Sequence, residues 1–242
     1  MALHFLLDDG PLQAGAGDDV VLTGAEAHHA ATVRRVRVGE EVTLGDGRGA
    51  WLEAVVEAVA PREVTVRVRS REEVPAPTRR IVLVQALAKG DRDELAVQAA
   101  TELGVDEIVP WQAARSISRW DAAKAAKGVA RWQSIVREAA KQAHRAWVPV
   151  VRQPVTTAQL GSRPGQLLVL EPEATVALSR ADLGDADELV LVVGPEGGIA
   201  PEELAALADA GATPVRLGET VLRTSTAGPA ALAVVSTLLG RW

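Results

Sequence analysis

Two glycine-bearing loops near the C-terminus hold the residues best suited to chemistry. One is Gly194-Pro195-Glu196-Gly197-Gly198, directly behind the apolar run Leu189–Val193. The other is Leu217-Gly218-Glu219-Thr220-Val221-Leu222-Arg223-Thr224-Ser225-Thr226-Ala227, between a strand-like and a helix-like segment. Each follows a candidate buried strand, and open α/β sheets bind ligands at the carboxyl ends of their strands. The loops offer main-chain N–H groups rather than nucleophiles. Adjacent glycines permit φ > 0 and leave no Cβ in a ligand's way. Neither loop is a dinucleotide fingerprint or a P-loop, because GxGxxG and GxxxxGK[ST] are both absent. Taken alone, the first loop reads more readily as an ordinary tight strand-to-helix turn. Glu196 is either a candidate base or an acceptor for neighbouring backbone N–H groups. Arg223 is either a cation for the chemistry or a structural ion pair.

The elements that position these loops alternate strand and helix. Ile81–Val84 is a continuous apolar run, as in a strand covered on both faces. Asp91 to Leu103 has helical spacing at Leu95, Gln98/Ala99 and Glu102/Leu103, with Gly104 as its stop. Ile108-Val109, Leu167–Leu170, Leu189–Val193 and Val215–Leu217 read as strands, and 122–146 as a long helix rich in Ala, Lys and Arg. Pro201-Glu202-Glu203 starts a helix well, with proline in the first turn and acids at the positive end of the dipole. Ala227 to Leu239 is the last helix. This alternation predicts a mostly parallel sheet. Residues 1–73 differ. Glu41–Leu44, Trp51–Val56 and the alternating Val64-Thr65-Val66-Arg67-Val68-Arg69 predict short antiparallel strands joined by turns such as Gly45-Asp46-Gly47, a small barrel. Pro75-Ala76-Pro77 separates the two textures, so the domains are predicted as 1–73 and 74–242.

With 242 residues, 48% of them hydrophobic, the chain can bury a sizeable core. No cysteine is present, which excludes disulfides, thiolate metal sites and cysteine nucleophiles. No apolar run reaches the roughly 18 residues of a membrane span, and no signal peptide is visible. These features predict a cytoplasmic protein. The net charge is −6, yet Arg115 to Arg152 carries nine Lys or Arg against Asp121 and Glu138, a local +7. Such a face can hold phosphate on an acidic protein, or serve as an ordinary solvated helix face. His28-His29 invites a metal reading, but four histidines without an accompanying carboxylate pattern make a poor ligand set. No metal is expected.

The paired GPEGG and LGxxVLRT loops resemble those of the SPOUT methyltransferases, specifically the RsmE-type 16S rRNA uridine-N3 methyltransferases. Further resemblance lies in Lys89-Gly90-Asp91 with Thr101-Glu102-Leu103-Gly104-Val105, in Arg131 to Pro149, and in His28-His29 followed by Arg35 and Gly39. The resemblance implies a PUA-like RNA-binding barrel followed by a SPOUT domain whose C-terminal loops form a trefoil knot. It implies S-adenosylmethionine held by Gly194, Pro195, Glu196, Gly197 and Gly198, by Leu217, Gly218, Val221, Leu222 and Arg223, and by a third wall from Leu170-Glu171-Pro172. It implies a homodimer acting on 16S rRNA in the 30S subunit, with Arg35, Lys89, Arg115 and Arg145 on RNA.

Uridine N3 is a weakly acidic imide, so its methylation requires loss of a proton and stabilisation of the resulting anion. Arg223 is the candidate catalytic cation. Two positions depart from the family. Ser225 stands where a Glu is frequent, which puts in doubt any mechanism using that Glu as base. Ala99 stands where a Lys is frequent. Two further readings stay open here: a non-catalytic RNA-binding or ribosome-assembly protein, and a ribose 2′-O-methyltransferase on the same fold.

Overall fold

A computed structural model describes every residue except Met1, Asp8, Asp9 and Pro11. It divides into two units, one formed by the chain up to Ala76 together with Ala140–Val148, the other by Pro77–Ala139 and Pro149–Trp242.

In the first unit, strands β1 (Leu3–Leu6), β2 (Asp19–Leu22), β3 (Glu41–Gly45), β4 (Ala50–Ala60) and β5 (Glu63–Glu73) form a five-stranded sheet in the order β1-β3-β4-β5-β2. The alternation read at Val64, Val66 and Val68 places all three side chains inside, with Val68 opposite Ala54 and Val66 opposite Val56. A short helix α1 (Gly24–His28) continues as a π-helical turn over His29–Arg34 and ends at Arg35 in the left-handed region, φ 54°. The His28-His29 pair does not act as one unit. His28 is exposed, while the His29 ring meets Phe5 edge-on at 6.3 Å. His4 is buried, stacked on Trp51 at 4.4 Å, and its Nδ1 lies 2.9 Å from Thr43 Oγ1.

The second unit holds β6 (Arg80–Ala86), α2 (Arg92–Glu102), β7 (Glu107–Trp111), α3 (Ala122–Gln142, its end joining the first unit), β8 (Val150–Val151), α4 (Thr157–Gly161), β9 (Gln166–Leu170), β10 (Glu188–Val193), α5 (Pro201–Asp209), β11 (Thr213–Val215) and α6 (Thr224–Leu238). Its six strands are all parallel, in the order β11-β9-β10-β6-β7-β8. One sheet face carries Val82, Val84, Val109, Trp111, Leu167, Val169, Val190 and Val192 into a core shared with Leu160 of α4 and Leu207 of α5. The intervening side chains face the other way. There Gly228 lets α6 approach closely, since an added Cβ would lie 3.0 Å from Leu83. At the opposite end of the sheet from the loops, the buried Glu107 carboxylate meets Arg163 at 2.6 Å and Arg152 at 2.8 Å. Burial pushes its pKa up, but these guanidinium partners prevail and hold it below the ordinary value.

Four sequence expectations need correction. Leu95 is 51% exposed, and α2 instead buries Asp93, Ala96, Val97, Ala100 and Thr101. Small residues on that face suit close packing against α6, which contacts α2. Helix α3 stops at Gln142, not 146, because His144 takes a left-handed turn, φ 53°. Strand β11 ends at Val215, which frees Arg216 and Leu217 for the loop. Helix α6 starts at Thr224, immediately behind Arg223.

Candidate active site

Neighbouring strands β11, β9 and β10 end side by side, so the loops that leave them converge. Between them lies a cavity of about 600 Å³, walled by Leu170–Glu173, by Val193–Glu196 with Gly198 and Ile199, and by Val215–Gly218 with Thr220–Thr224. All the residues implied for the cofactor line it except Gly197. Arg92, Arg115 and Arg216 complete the rim, and nothing in their sequence context marked Arg92 or Arg216.

Two of the three walls carry glycines at the cavity. At Gly194 a Cβ would lie 2.6 Å from Ile199 Cγ1, so the turn out of β10 has room only for glycine. Gly198 closes that turn with its N–H on the Pro195 carbonyl at 2.9 Å, at φ 71°. Gly218 sits at φ 108°, and an added Cβ would meet no protein atom within 4 Å at either of these two positions. Substitution there strains the backbone and projects atoms away from protein, at residues that line the cavity.

Side chains brace the GPEGG loop from three directions. The Glu196 carboxylate accepts from the Lys89 backbone N–H at 3.0 Å and from Arg92 Nη1 at 2.9 Å. Partial burial raises the Glu196 pKa, but backbone N–H donors and Arg92 outweigh it and keep the group below its ordinary 4.5. A carboxylate so occupied is a poor proton acceptor at neutral pH. Arg115 Nη1 donates to the Gly197 carbonyl at 3.1 Å. Thr224 Oγ1 donates to the Gly194 carbonyl at 2.8 Å and accepts from Gln85 Nε2 at 2.8 Å. Arg223 is exposed on the rim, and its side chain makes no hydrogen bond or ion pair among the described residues. The structural ion pair considered for it is therefore absent there.

Two family models match the chain: an RNA methyltransferase domain over residues 74–236 and an RNA methyltransferase PUA domain over 22–69. A ribosomal RNA small subunit methyltransferase E of Mycobacterium bovis is 46% identical, covering 100% of this chain and 94% of that protein. The chain belongs to the RsmE-type RNA methyltransferases. The solved ribosomal RNA small subunit methyltransferase E of Neisseria gonorrhoeae, bound to S-adenosyl methionine, superposes with a TM-score of 0.87 at 30% identity, covering 98% of each chain. A methyltransferase structure from Legionella pneumophila with bound SAM gives a TM-score of 0.87 at 31% identity, again over 98% of each chain.

In this RsmE-type methyltransferase the basic residues implied for RNA fall in both units. Arg35 and Arg145 belong to the barrel unit, and Lys89 and Arg115 to the sheet unit. Among the described residues no group of three or more His, Asp or Glu is placed to hold a metal ion.

Proposed function

We propose that this chain methylates uridine N3 of small-subunit 16S rRNA, with S-adenosylmethionine as donor. The observation that carries the reading is the cavity of about 600 Å³ at three adjoining strand ends, with glycines in two of its walls and, on its rim, Arg223, whose side chain has no partner among the described residues. Its size suits a cofactor, and its glycine turns leave main-chain N–H and carbonyl groups for a purine, a ribose and an amino-acid moiety. Gly194, Pro195, Glu196, Gly197 and Gly198, with Leu217, Gly218, Val221, Leu222 and Arg223, hold it, and Leu170 and Glu171 form the third wall. The three loops are threaded as the trefoil knot of the superfamily. Bound there, the cofactor supplies an electrophilic methyl group.

The chain's own residues do the rest. Arg223 stabilises the negative charge that develops on the uracil as N3 loses its proton. Glu196 shapes the loop and is not the base. Arg35 and Arg145 on one unit, and Lys89 and Arg115 on the other, contact the RNA phosphates. The protein works in the cytoplasm, where the 30S subunit is its substrate. It works as a homodimer. Val221 is 77% exposed and Trp242 63%, with Leu95 and Leu238 also exposed, an apolar set that a second copy would cover.

Methyl transfer to 30S subunits and to naked 16S rRNA, followed by nucleoside mass analysis, tests the reading. 3-Methyluridine is expected. A 2′-O-methyl nucleoside, or no methylation, overturns it. A monomeric mass in light scattering with activity intact removes the dimer.

A further inference from the structure

Gln85 breaks the pattern of its strand. It belongs to β6, opposite Val193 in the register with β10, on the sheet face that carries Leu83 towards α6. Every neighbour in that run is apolar, and Gln85 itself is fully buried. A leucine would continue the face without bringing a polar amide out of water. The amide oxygen, moreover, has no hydrogen-bond partner among the described residues. A buried polar group that is only partly satisfied is where a sequence trades packing for something else.

What the amide does is visible in its other half. Gln85 Nε2 donates to Thr224 Oγ1 at 2.8 Å, and Thr224 Oγ1 donates onward to the Gly194 carbonyl at 2.8 Å. Gly194 is the first residue of the GPEGG loop. Thr224 closes the LGxxVLRT loop and begins α6. Arg223, adjacent to Thr224, has no side-chain partner among the described residues, so its location rests on the backbone that Thr224 anchors. Both Thr224 and Gly194 line the cavity.

We propose that Gln85 and Thr224 are positioning residues: their hydrogen-bonded bridge sets the spacing of the two cofactor loops and places Arg223 over the cavity. The proposal rests on the methyltransferase reading above. Without the bridge, each loop would have to be ordered by the ligand at the moment of binding, and affinity would fall by that ordering cost.

Three variants test it, each followed by calorimetric S-adenosylmethionine affinity, single-turnover methyl transfer and urea midpoint. Thr224→Val keeps the shape and deletes the hydroxyl. It should weaken cofactor binding roughly 10- to 100-fold, the cost of stranding the buried Gln85 amide and the part-buried Gly194 carbonyl. Thr224→Ser returns the hydroxyl and should recover most of that loss. Gln85→Met should weaken binding less, roughly 5- to 30-fold, and adding it to Thr224→Val should cost little more, because both act through one bridge. Should Thr224→Val fail to fold, Gln85→Met with its own affinity and midpoint decides alone. A lowered midpoint with native cofactor affinity and native single-turnover rate would make the bridge merely structural and overturn the proposal. Additive losses would also overturn it. A wild-type chain that binds no S-adenosylmethionine would instead sink the methyltransferase reading, and the bridge's role with it.

Discussion

Replacing Glu196 separates bracing from proton transfer. The Glu196 carboxylate, with its side chain 19% exposed, takes the Lys89 N–H at 3.0 Å and Arg92 at 2.9 Å. The Arg92 side chain is 44% exposed, so solvent screens the ion pair to well under 1 kcal/mol. The backbone bond to a carboxylate is the stronger of the two, about 1.5–2 kcal/mol. Glu196→Gln keeps an acceptor and loses only charge, about 1 kcal/mol, and should weaken cofactor binding about 5-fold. Glu196→Ala loses both bonds, about 2 kcal/mol, and should weaken it roughly 30-fold. At saturating cofactor and RNA, single-turnover rates of both variants should stay within about 3-fold of wild type, since bracing acts before the chemical step. A general base predicts the reverse, a loss of about 10²–10⁴-fold in that rate. The pH dependence follows the same logic. The Glu196 pKa lies below 4.5, so the brace is intact above that value and is lost only as pH falls through the depressed pKa. Glu196→Gln with native cofactor affinity and a 100-fold slower single turnover would refute the bracing argument.

Arg223→Ala should cut the single-turnover rate roughly 10²–10³-fold with little change in RNA affinity, the size seen when one oxyanion donor is lost; a normal rate would remove Arg223 from the mechanism. Gly218→Val forces a branched residue to φ 108° at the cavity wall, and calorimetry should find S-adenosylmethionine binding abolished while circular dichroism shows a folded protein. Arg35→Ala should weaken RNA binding and flatten its salt dependence, by a slope of about one, while cofactor affinity holds. His4 supplies a pH test. Burial foremost, then His144 and Lys141, lower its pKa from 6.5 to about 4. The folded state therefore keeps His4 neutral, while the unfolded state takes up a proton below 6.5. Its contribution to stability falls as pH drops from 6.5 towards 4, by about 2.5 kcal/mol between pH 7 and 4.5. Urea titrations at both pH values should show that difference in wild type and lose it in His4→Phe, which keeps a ring to stack on Trp51.

The parts of this protein that the sequence determines by itself are those whose cause is local. Continuous apolar runs such as Ile81–Val84 and Leu189–Val193 read as strands covered on both faces, and a period of two at Val64, Val66 and Val68 reads as one buried face. The two glycine-bearing loops were legible for the same reason: at Gly194 a Cβ would collide with Ile199, and Gly198 and Gly218 hold positive φ, a geometry that favours glycine. The corrections arise where the cause is distant. Nothing within 92–102 says that α2 turns its small residues, rather than Leu95, towards α6, because the choice belongs to the packing partner. The same holds at the site. Glu196 ceased to be a candidate base only when Lys89 and Arg92, about a hundred residues earlier, closed on it. That the Arg223 side chain has no hydrogen-bond or ion-pair partner among the described residues was visible only in the folded chain. The Gln85–Thr224–Gly194 bridge joins residues 139 and 30 positions apart. A hydrogen bond needs its two atoms within about 3 Å. Along an extended chain such separations span roughly 100 to 500 Å, so only the folded sheet, with β6 and β10 side by side and α6 laid close across them at Gly228, brings those atoms together.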